Sequence, residues 1–258
     1  MKNEGGEQMK KLKKCACIIM VLSLIQGFSM TYDVANAVSV PVPTVTVSTA
    51  SAKKLPSSVK LNKTSEKLVV GKTDTLKATV SPVGSSKLTW TSSNKKVVTV
   101  DSNGKLKAVG KGTANVTVKT SNGKTATCIV SVITQNEAYV DEVLKLVNEE
   151  RTKRSLNKLT VNSRLSNASQ KRAVETAQSL SHTRPSGKSF STVLDEYGIN
   201  YTVTGENIAY NYYTASEAME GLMDSKGHRD NILNTRFKSI GVGLYEEDGI
   251  KYLVQLFI

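Results

Sequence analysis

The residues that most often carry chemistry or covalent cross-links are scarce in this chain: its 258 residues include two histidines, one tryptophan and three cysteines. Cys15 and Cys17 both fall in an apolar run near the N-terminus. Once that run is removed only Cys128 remains, which excludes an intramolecular disulfide and leaves the fold to its hydrophobic core. Proline is scarce as well, and three of the five (Pro41, Pro43 and Pro56) crowd into one short segment. Arginine is missing from residues 38–133, where fifteen lysines stand against three acids and Trp90 is the one aromatic residue. Guanidinium groups read phosphates and bases in a bidentate way, so this composition excludes nucleic-acid recognition and points to diffuse attraction of anions. The chain's net charge of +13 is concentrated there: residues 1–37 carry +2, residues 38–133 carry +12 and residues 134–258 carry −1.

Taken in order, the chain opens with Lys10, Lys11, Lys13 and Lys14, then an apolar run from Cys15 to about Phe28, then the small-x-small triplet Ala35-Asn36-Ala37. This is the layout of a secretory signal peptide over residues 1–37. The run is shorter than the roughly 20 residues a membrane-spanning helix needs, so no membrane span is expected after its removal. Residues 38–57, rich in Pro, Ser, Thr and Val, read as an extended linker. From 58 to 133 the pattern is strand and turn. Period-two alternation runs through Leu76, Ala78 and Val80, through Leu88 and Trp90, through Val116 and Val118, and through Ala126, Cys128, Val130 and Val132. Ser81-Pro82, Ser102-Asn103-Gly104, Gly110-Lys111-Gly112 and Ser121-Asn122-Gly123 separate the runs. Short strands at this spacing predict an antiparallel sandwich with Trp90 and Cys128 in its core.

After residues 134–136 the period changes to that of helices. Val140, Val143, Leu144 and Val147 form one apolar stripe, closed by Glu149, Glu150 and Arg151. A second helix is expected from Ser163 as N-cap, turning Leu165, Ala168, Ala173, Ala177 and Leu180 inward and delivering His182 just past its end. A third, short helix around Phe190 to Tyr197 stops at Gly198. Thr214 with Glu217 makes a capping box for a fourth, which bears Ala218, Leu222 and Met223. Ile240, Val242 and Leu244 then alternate, Asp248-Gly249 turns the chain, and Tyr252, Val254 and Leu256 alternate back.

Two groups of motifs carry family resemblances. The stretch LTWTSSNKKVVTVDSNGKLKAVGKGTANVTV is similar to the bacterial Ig-like domain of group 2. SHTRPSG, GENIA, SKGHRDNIL, FKSIGVGLY and YLVQLF, in that order, resemble the signature blocks of the CAP superfamily (SCP-like) in its bacterial form, over about Glu137 to Ile258. The resemblance implies an α-β-α sandwich with a central antiparallel sheet. The expected fold class is therefore two domains, an all-β Ig-like sandwich over 58–133 followed by a CAP fold over 134–258. The resemblance also implies a cleft formed by His182, Glu206 and His228, often with a second glutamate. Where many relatives have Glu or Pro before Gly-His, this chain has Lys226, so the fourth member is missing at its expected place. Glu217 is engaged as a cap, which leaves Glu220 and Asp224 as nearby acids.

Two imidazoles and one carboxylate suit a Zn2+ ion with an open position, and such an ion would activate a bound water towards a carbonyl. The tentative metal set is His182, His228 and Glu206, and the same three are the candidates for any catalysis. They lie 24 and 22 positions apart, so their convergence follows from the resemblance and not from spacing. Hydrolysis also needs a general base and an oxyanion stabiliser, and the sequence names neither. The competing reading makes these residues, with Asn207, Arg229 and Asn231, the polar staples of buried loops. Tyr201, Tyr210, Tyr212 and Tyr213 flank the GEN loop; Tyr210 and Tyr212 are candidates, with the two histidines and Glu206, for lining a groove for sugar or peptide. Ser225 has no arrangement around it that makes a nucleophile.

The expected function is that of a secreted, non-catalytic binding protein. Its Ig-like module would hold it to anionic cell-wall polymers or surface glycans, and its CAP cleft would bind a ligand, a divalent metal, or a host or bacterial surface protein. The alternative is a metal-dependent hydrolase of peptides or cell-wall material using His182, Glu206 and His228. A lipid-carrying role, proposed for some eukaryotic relatives, would need an apolar groove that nothing in the sequence marks. The chain ends within a strand pattern at Ile258 with no sorting motif, so retention at the wall is expected to be non-covalent.

Overall fold

The computed structural model describes residues 55–83 and 86–258; the segment 1–37 expected to be a signal peptide, and nearly all of the expected linker, lie outside the described residues. The first half is built from strands: β1 (Ser58–Leu61), β2 (Ser65–Val69), β3 (Thr73–Thr75), β4 (Ala78–Ser81), β5 (Leu88–Ser92), β6 (Val98–Val100), β7 (Lys105–Ala108), β8 (Gly112–Thr120) and β9 (Thr125–Ile133). They form a four-stranded sheet β2-β9-β8-β5, a three-stranded sheet β3-β7-β6 and a β1-β4 pair. Alternate residues face a shared core of Leu68, Val98, Leu106, Val116, Cys128, Val130 and Val132. The sandwich is not wholly antiparallel, because β2 pairs with β9 in parallel. Side chains alternate with period two in either direction, so alternation alone cannot tell strand direction. Cys128 is fully buried, and that burial pushes its thiol pKa up, which makes it a core residue and not a nucleophile. Trp90 is only half-buried, packing at the rim of the core. Its ring lies over Gly104, where a Cβ would come within 2.9 Å of it.

The second half contains α1 (Gln135–Lys153), β10 (Thr160–Val161), α2 (Ser163–Gln178), α3 (Thr192–Glu196), β11 (Gly205–Tyr210), α4 (Ala215–Asp224), α5 (Lys226–Leu233), β12 (Ser239–Glu247) and β13 (Ile250–Phe257). The sheet order is β10-β12-β13-β11. β12 and β13 form a hairpin through Asp248-Gly249, both at positive φ (51° and 77°), the backbone a tight Asp-Gly turn requires. One face packs on α1, α4 and α5, with Val143, Val147, Ala218, Leu222 and Ile232 against Ile240, Val242, Leu244 and Phe257. The other packs on α2 and α3, with Leu165, Ala168, Ala173, Val193 and Leu194 against Val254 and Leu256. The result is the α-β-α sandwich. The sheet is antiparallel except for the short β10, which lies parallel to β12.

Local chemistry sets the ends of the helices. Capping boxes start α1 at Thr134 with Glu137 and α4 at Thr214 with Glu217. Asn162, not Ser163, caps α2, its side-chain oxygen accepting from the amides of Arg164 and Leu165. Either residue type caps well, so sequence fixes the position only to within one residue. Leu180 does not turn inward: α2 ends at Gln178, and Leu180 is exposed. The helix α3 is shorter than its sequence pattern suggests, and Gly198 follows it at φ 61°. No helix among the described residues is long and apolar enough to cross a membrane.

Candidate functional site

The site forms where α2, β11 and α5 meet. The inward stripe of α2 carries Leu165 and Ala168 and, one turn further on, Arg172, whose side chain is fully buried. A guanidinium in that position must be paired. Its Nε donates to Glu206 Oε1 at 2.8 Å, its Nη2 to Glu206 Oε2 at 3.4 Å, and its Nη1 to Glu175 Oε2 at 2.8 Å. Nη2 also donates to the carbonyl oxygen of Ser181 at 2.8 Å. Glu206 is the second residue of β11, opposite Leu256, and its side chain is likewise fully buried.

His182 stands on the loop after α2, with Nδ1 at 2.8 Å from Glu206 Oε2. The loop closes on itself through the amide of Phe190 to the carbonyl of His182 (3.0 Å) and a Thr183–Ser189 bridge. The imidazole meets the Phe190 ring edge-on, with centroids 6.4 Å apart, and 58% of its side chain remains exposed. A carboxylate only accepts hydrogen bonds, so in the neutral ring Nδ1 carries the proton towards Glu206 and Nε2 is left as the acceptor.

His228 follows the fourth helix, but within a further short helix and not a loop. It lies in the first turn of α5, a helix whose eight residues are too few, and too polar in pattern, to announce themselves. It is half-buried, and its pKa is lowered by that burial and, secondarily, by the charge His182 takes up on protonation. The polar residues of GENIA and GHRDNIL lock α5 to β11. Asn207 Nδ2 donates to the His228 carbonyl and to Gln255 Oε1, both at 3.0 Å. Asn231 Nδ2 donates to Asn207 Oδ1 at 2.9 Å and to the Glu206 carbonyl at 3.2 Å. A Cβ on Gly205 would meet Asn231 Oδ1 at 2.8 Å and the Phe237 ring at 2.9 Å, so the docking needs glycine there. Arg229 Nη1 donates to the carbonyls of Met223 and Asp224, capping α4.

The other candidates lie elsewhere. Lys226 pairs with Asp230 at 2.6 Å on the surface of α5. Glu217 caps α4, and Glu220 and Asp224 are exposed. Tyr210 follows Glu206 by four residues along β11, roughly 13 Å at a strand's rise per residue. Tyr212 belongs to the packing of α4, where a Cβ on Gly221 would overlap its hydroxyl. The acids that join the site are ones the sequence reading missed. Glu175 is gripped by Arg184 through Nε (3.0 Å) and Nη2 (2.7 Å), and Arg184 Nη1 reaches Glu196 at 2.7 Å. Lys171 closes the row on Glu196 at 2.6 Å. The signal was present: Arg172 and Glu175 interrupt the stripe that Leu165 and Ala168 begin, and a charge on a buried face calls for a partner.

In this arrangement the carboxylate of the expected metal set is turned towards protein partners. Both oxygens of Glu206 are engaged by Arg172 and His182, and among the described residues no group of three His, Cys, Asp or Glu is set to hold an ion. What it offers is an imidazole acceptor of fixed orientation at a polar surface, with a second imidazole close by.

The ion row also makes the domain acid-sensitive. Hydrogen bonds from Arg184 and then Lys171 hold Glu196 at about 2, against an ordinary 4.5. Burial pushes Glu175 up, but bonds from Arg184 and Arg172 outweigh it and leave it lowered. Lowered carboxyls stabilise the fold fully above their unfolded value and lose that contribution as pH falls through the folded one. Thermal stability should therefore hold down to about pH 5 and fall between about 4.5 and 2. Glu137 and Glu150 act with the same sign, so the check is the slope of a Glu175→Gln variant, which should be shallower in that window; an unchanged slope would remove the row from the account.

Residues 144–257 match the model of the cysteine-rich secretory protein family (CAP), and residues 57–130 that of the bacterial Ig-like domain, group 2. Among curated proteins, YkwD of Bacillus subtilis (strain 168) is 36% identical over 115 residues, covering 44% of this chain and 45% of that protein. The membrane protein YlbC of the same organism is 38% identical over 78 residues, 30% of this chain and 21% of its own. The chain thus spans less than half the length of these relatives. Among solved structures, an extracellular SCP-domain protein of Bacillus anthracis str. Ames aligns with TM-score 0.45 and 23% identity, covering 52% of this chain and 46% of that one. An outer surface protein of Borrelia burgdorferi aligns with TM-score 0.45 and 21% identity over 48% and 93%.

Proposed function

Because the chain carries a CAP domain of the cysteine-rich secretory protein family behind a bacterial Ig-like domain of group 2, we propose that it is an exported, non-catalytic binding protein. In this reading the Ig-like domain attaches it by charge to anionic cell-wall polymers. The CAP domain presents the His182–Glu206–His228 edge to a ligand.

The lysine surface carries this reading. The described part of the Ig-like domain has thirteen lysines between Lys60 and Lys124, and all but Lys63 are exposed. Lys63, Lys67 and Lys111 enter ion pairs, which leaves ten with no carboxylate partner among the described residues. The domain's own acids are spent locally. Glu66 and Asp74 pair with Lys63, and Asp101 accepts from the amides of Asn103 and Lys105 in a turn. An exposed field of one sign attracts polyanions over a Debye length and is screened by salt.

The second half of the proposal rests on the chemistry of the edge. Any Zn2+ bound there would have the two imidazoles as its protein donors, with Glu206 acting through His182 instead of directly. That is one ligand short of the three that catalytic zinc sites use, which favours binding over hydrolysis. The test is co-sedimentation of the whole protein with purified bacterial walls at rising NaCl. Retention is expected at low salt and should be lost as the screening length contracts from roughly 30 Å at 0.01 M to about 3 Å at 1 M. A Lys105→Gln/Lys107→Gln/Lys119→Gln variant should release at lower salt, whereas His182→Ala should not. Salt-insensitive retention, or no retention, overturns the tethering.

A further inference from the structure

The two ends of the row of buried charges differ. One ends at the surface, in the exposed Lys171–Glu196 pair; the other ends at His182. Between them, acid and base alternate through Arg184, Glu175, Arg172 and Glu206. Arg172 touches more than the carboxylate. Its Nη2 also holds the carbonyl of Ser181, the residue just before His182. Arg184, two residues beyond His182, is itself held by Glu175 and Thr192. The backbone is therefore gripped on both sides of the imidazole, and the acceptor facing Nδ1 is fixed by the same guanidinium.

We propose that Arg172 is the positioning residue of the site: by holding the Glu206 side chain and the Ser181 carbonyl in place, it fixes His182 in its Nδ1–H tautomer and leaves Nε2 bare. This deepens the binding reading, since Nε2 is the atom a ligand would meet. The physical reason lies in the inventory of donors. An ionised carboxylate accepts only, so the nitrogen facing it must donate. A planar guanidinium can serve Glu206, Glu175 and a carbonyl at once through fixed forks, while the compact ammonium of lysine cannot. With lysine at 172 the charge would remain and the geometry would be lost.

The chain's scarcity of histidine makes the test direct. In the ¹⁵N-labelled whole protein, two imidazoles appear in long-range ¹⁵N–¹H spectra, and His228→Gln assigns them. With no ligand present and the ring neutral, His182 should be protonated at Nδ1 and bare at Nε2. Arg172→Lys should move the tautomer ratio roughly tenfold towards Nε2–H, as expected when a charge-assisted hydrogen bond loses its geometry. Glu175→Ala, which frees Nη1 of Arg172 and leaves Glu206 paired, should move it part of the way, and decides the matter if Arg172→Lys does not fold. A parent protein with His182 protonated at Nε2, or folded variants with an unchanged ratio, overturns the proposal. Because no ligand enters the measurement, a failure of wall or ligand binding would count against the proposed function alone.

Discussion

A Gly241→Ala variant is expected to lose a large share of the stability of the C-terminal domain. Gly241 and Gly243 lie on the face of β12 against which α2 packs, and they let helix and strand backbones approach directly. A Cβ on Gly241 would lie 2.3 Å from the carbonyl carbon of Leu165, and one on Gly243 the same distance from that of Ser169. These are backbone atoms, so no rotamer change relieves the overlap; the helix must lift from the sheet. Overpacking of this kind costs about 3 kcal/mol, a large share of the roughly 5–15 kcal/mol that holds a domain. For a domain of this size that is a fall in Tm of roughly 10–20 °C. Gly227→Ala is the contrasting control: a Cβ there meets nothing within 4 Å, and the position lies inside α5. Alanine should stabilise that helix by up to about 1 kcal/mol. Equal effects at the two glycines would show that close packing of α2 on β12 does not govern stability.

Arg151→Ala should cost about 3–5 kcal/mol in urea unfolding. From sequence Arg151, with Glu149 and Glu150, closes α1; in the fold it is 1% exposed, and α1 continues to Lys153. Its Nε donates to the carbonyl of Asn157 at 2.8 Å, and its Nη1 to those of Ile232 and Asn234 at 2.8 and 2.9 Å. No carboxylate pairs with it among the described residues; burial accordingly lowers its pKa. Its role is to satisfy three carbonyls, two of them at the C-terminal end of α5, which has no basic residue of its own in the last turn. Arg151→Met keeps the volume and drops the donors, so it separates the two contributions. If the methionine variant is as stable as the parent, the carbonyls have found water and the staple is not what fixes α5. Because α5 carries His228, loosening it would also disturb the candidate site.

What could be read of the site, and what could not, follows from how far each interaction reaches along the chain. The motifs around His182, Glu206 and His228 are local, and the residues in them that act as staples, Asn207 and Asn231, are close to one another in the fold. The ion row joins Arg172 to Glu206 across 34 positions. No spacing rule connects them; only the crossing of α2 over the sheet does. The fifth helix escaped for a different reason. Its sequence KGHRDNIL lacks an apolar stripe, Ile232 is its one buried residue, and its helical form is imposed by contacts with β11 and Arg151.

The sequence by itself determined many of the elements: alternation marked several of the strands, the Thr214–Glu217 capping box marked the start of α4 and Asp248-Gly249 the hairpin turn, and the lysine bias gave the charge of the first domain. These are properties of neighbours within a few residues, where sterics and hydrogen bonding act without reference to the rest of the chain. Tertiary structure decided strand direction in the sandwich, the helical state of α5, the burial of Arg151 and Arg172, and the engagement of Glu206 by a guanidinium. Each of these depends on which distant group fills the space beside a residue. A buried charge is tolerable only when its partner has already been brought there by the packing of the fold.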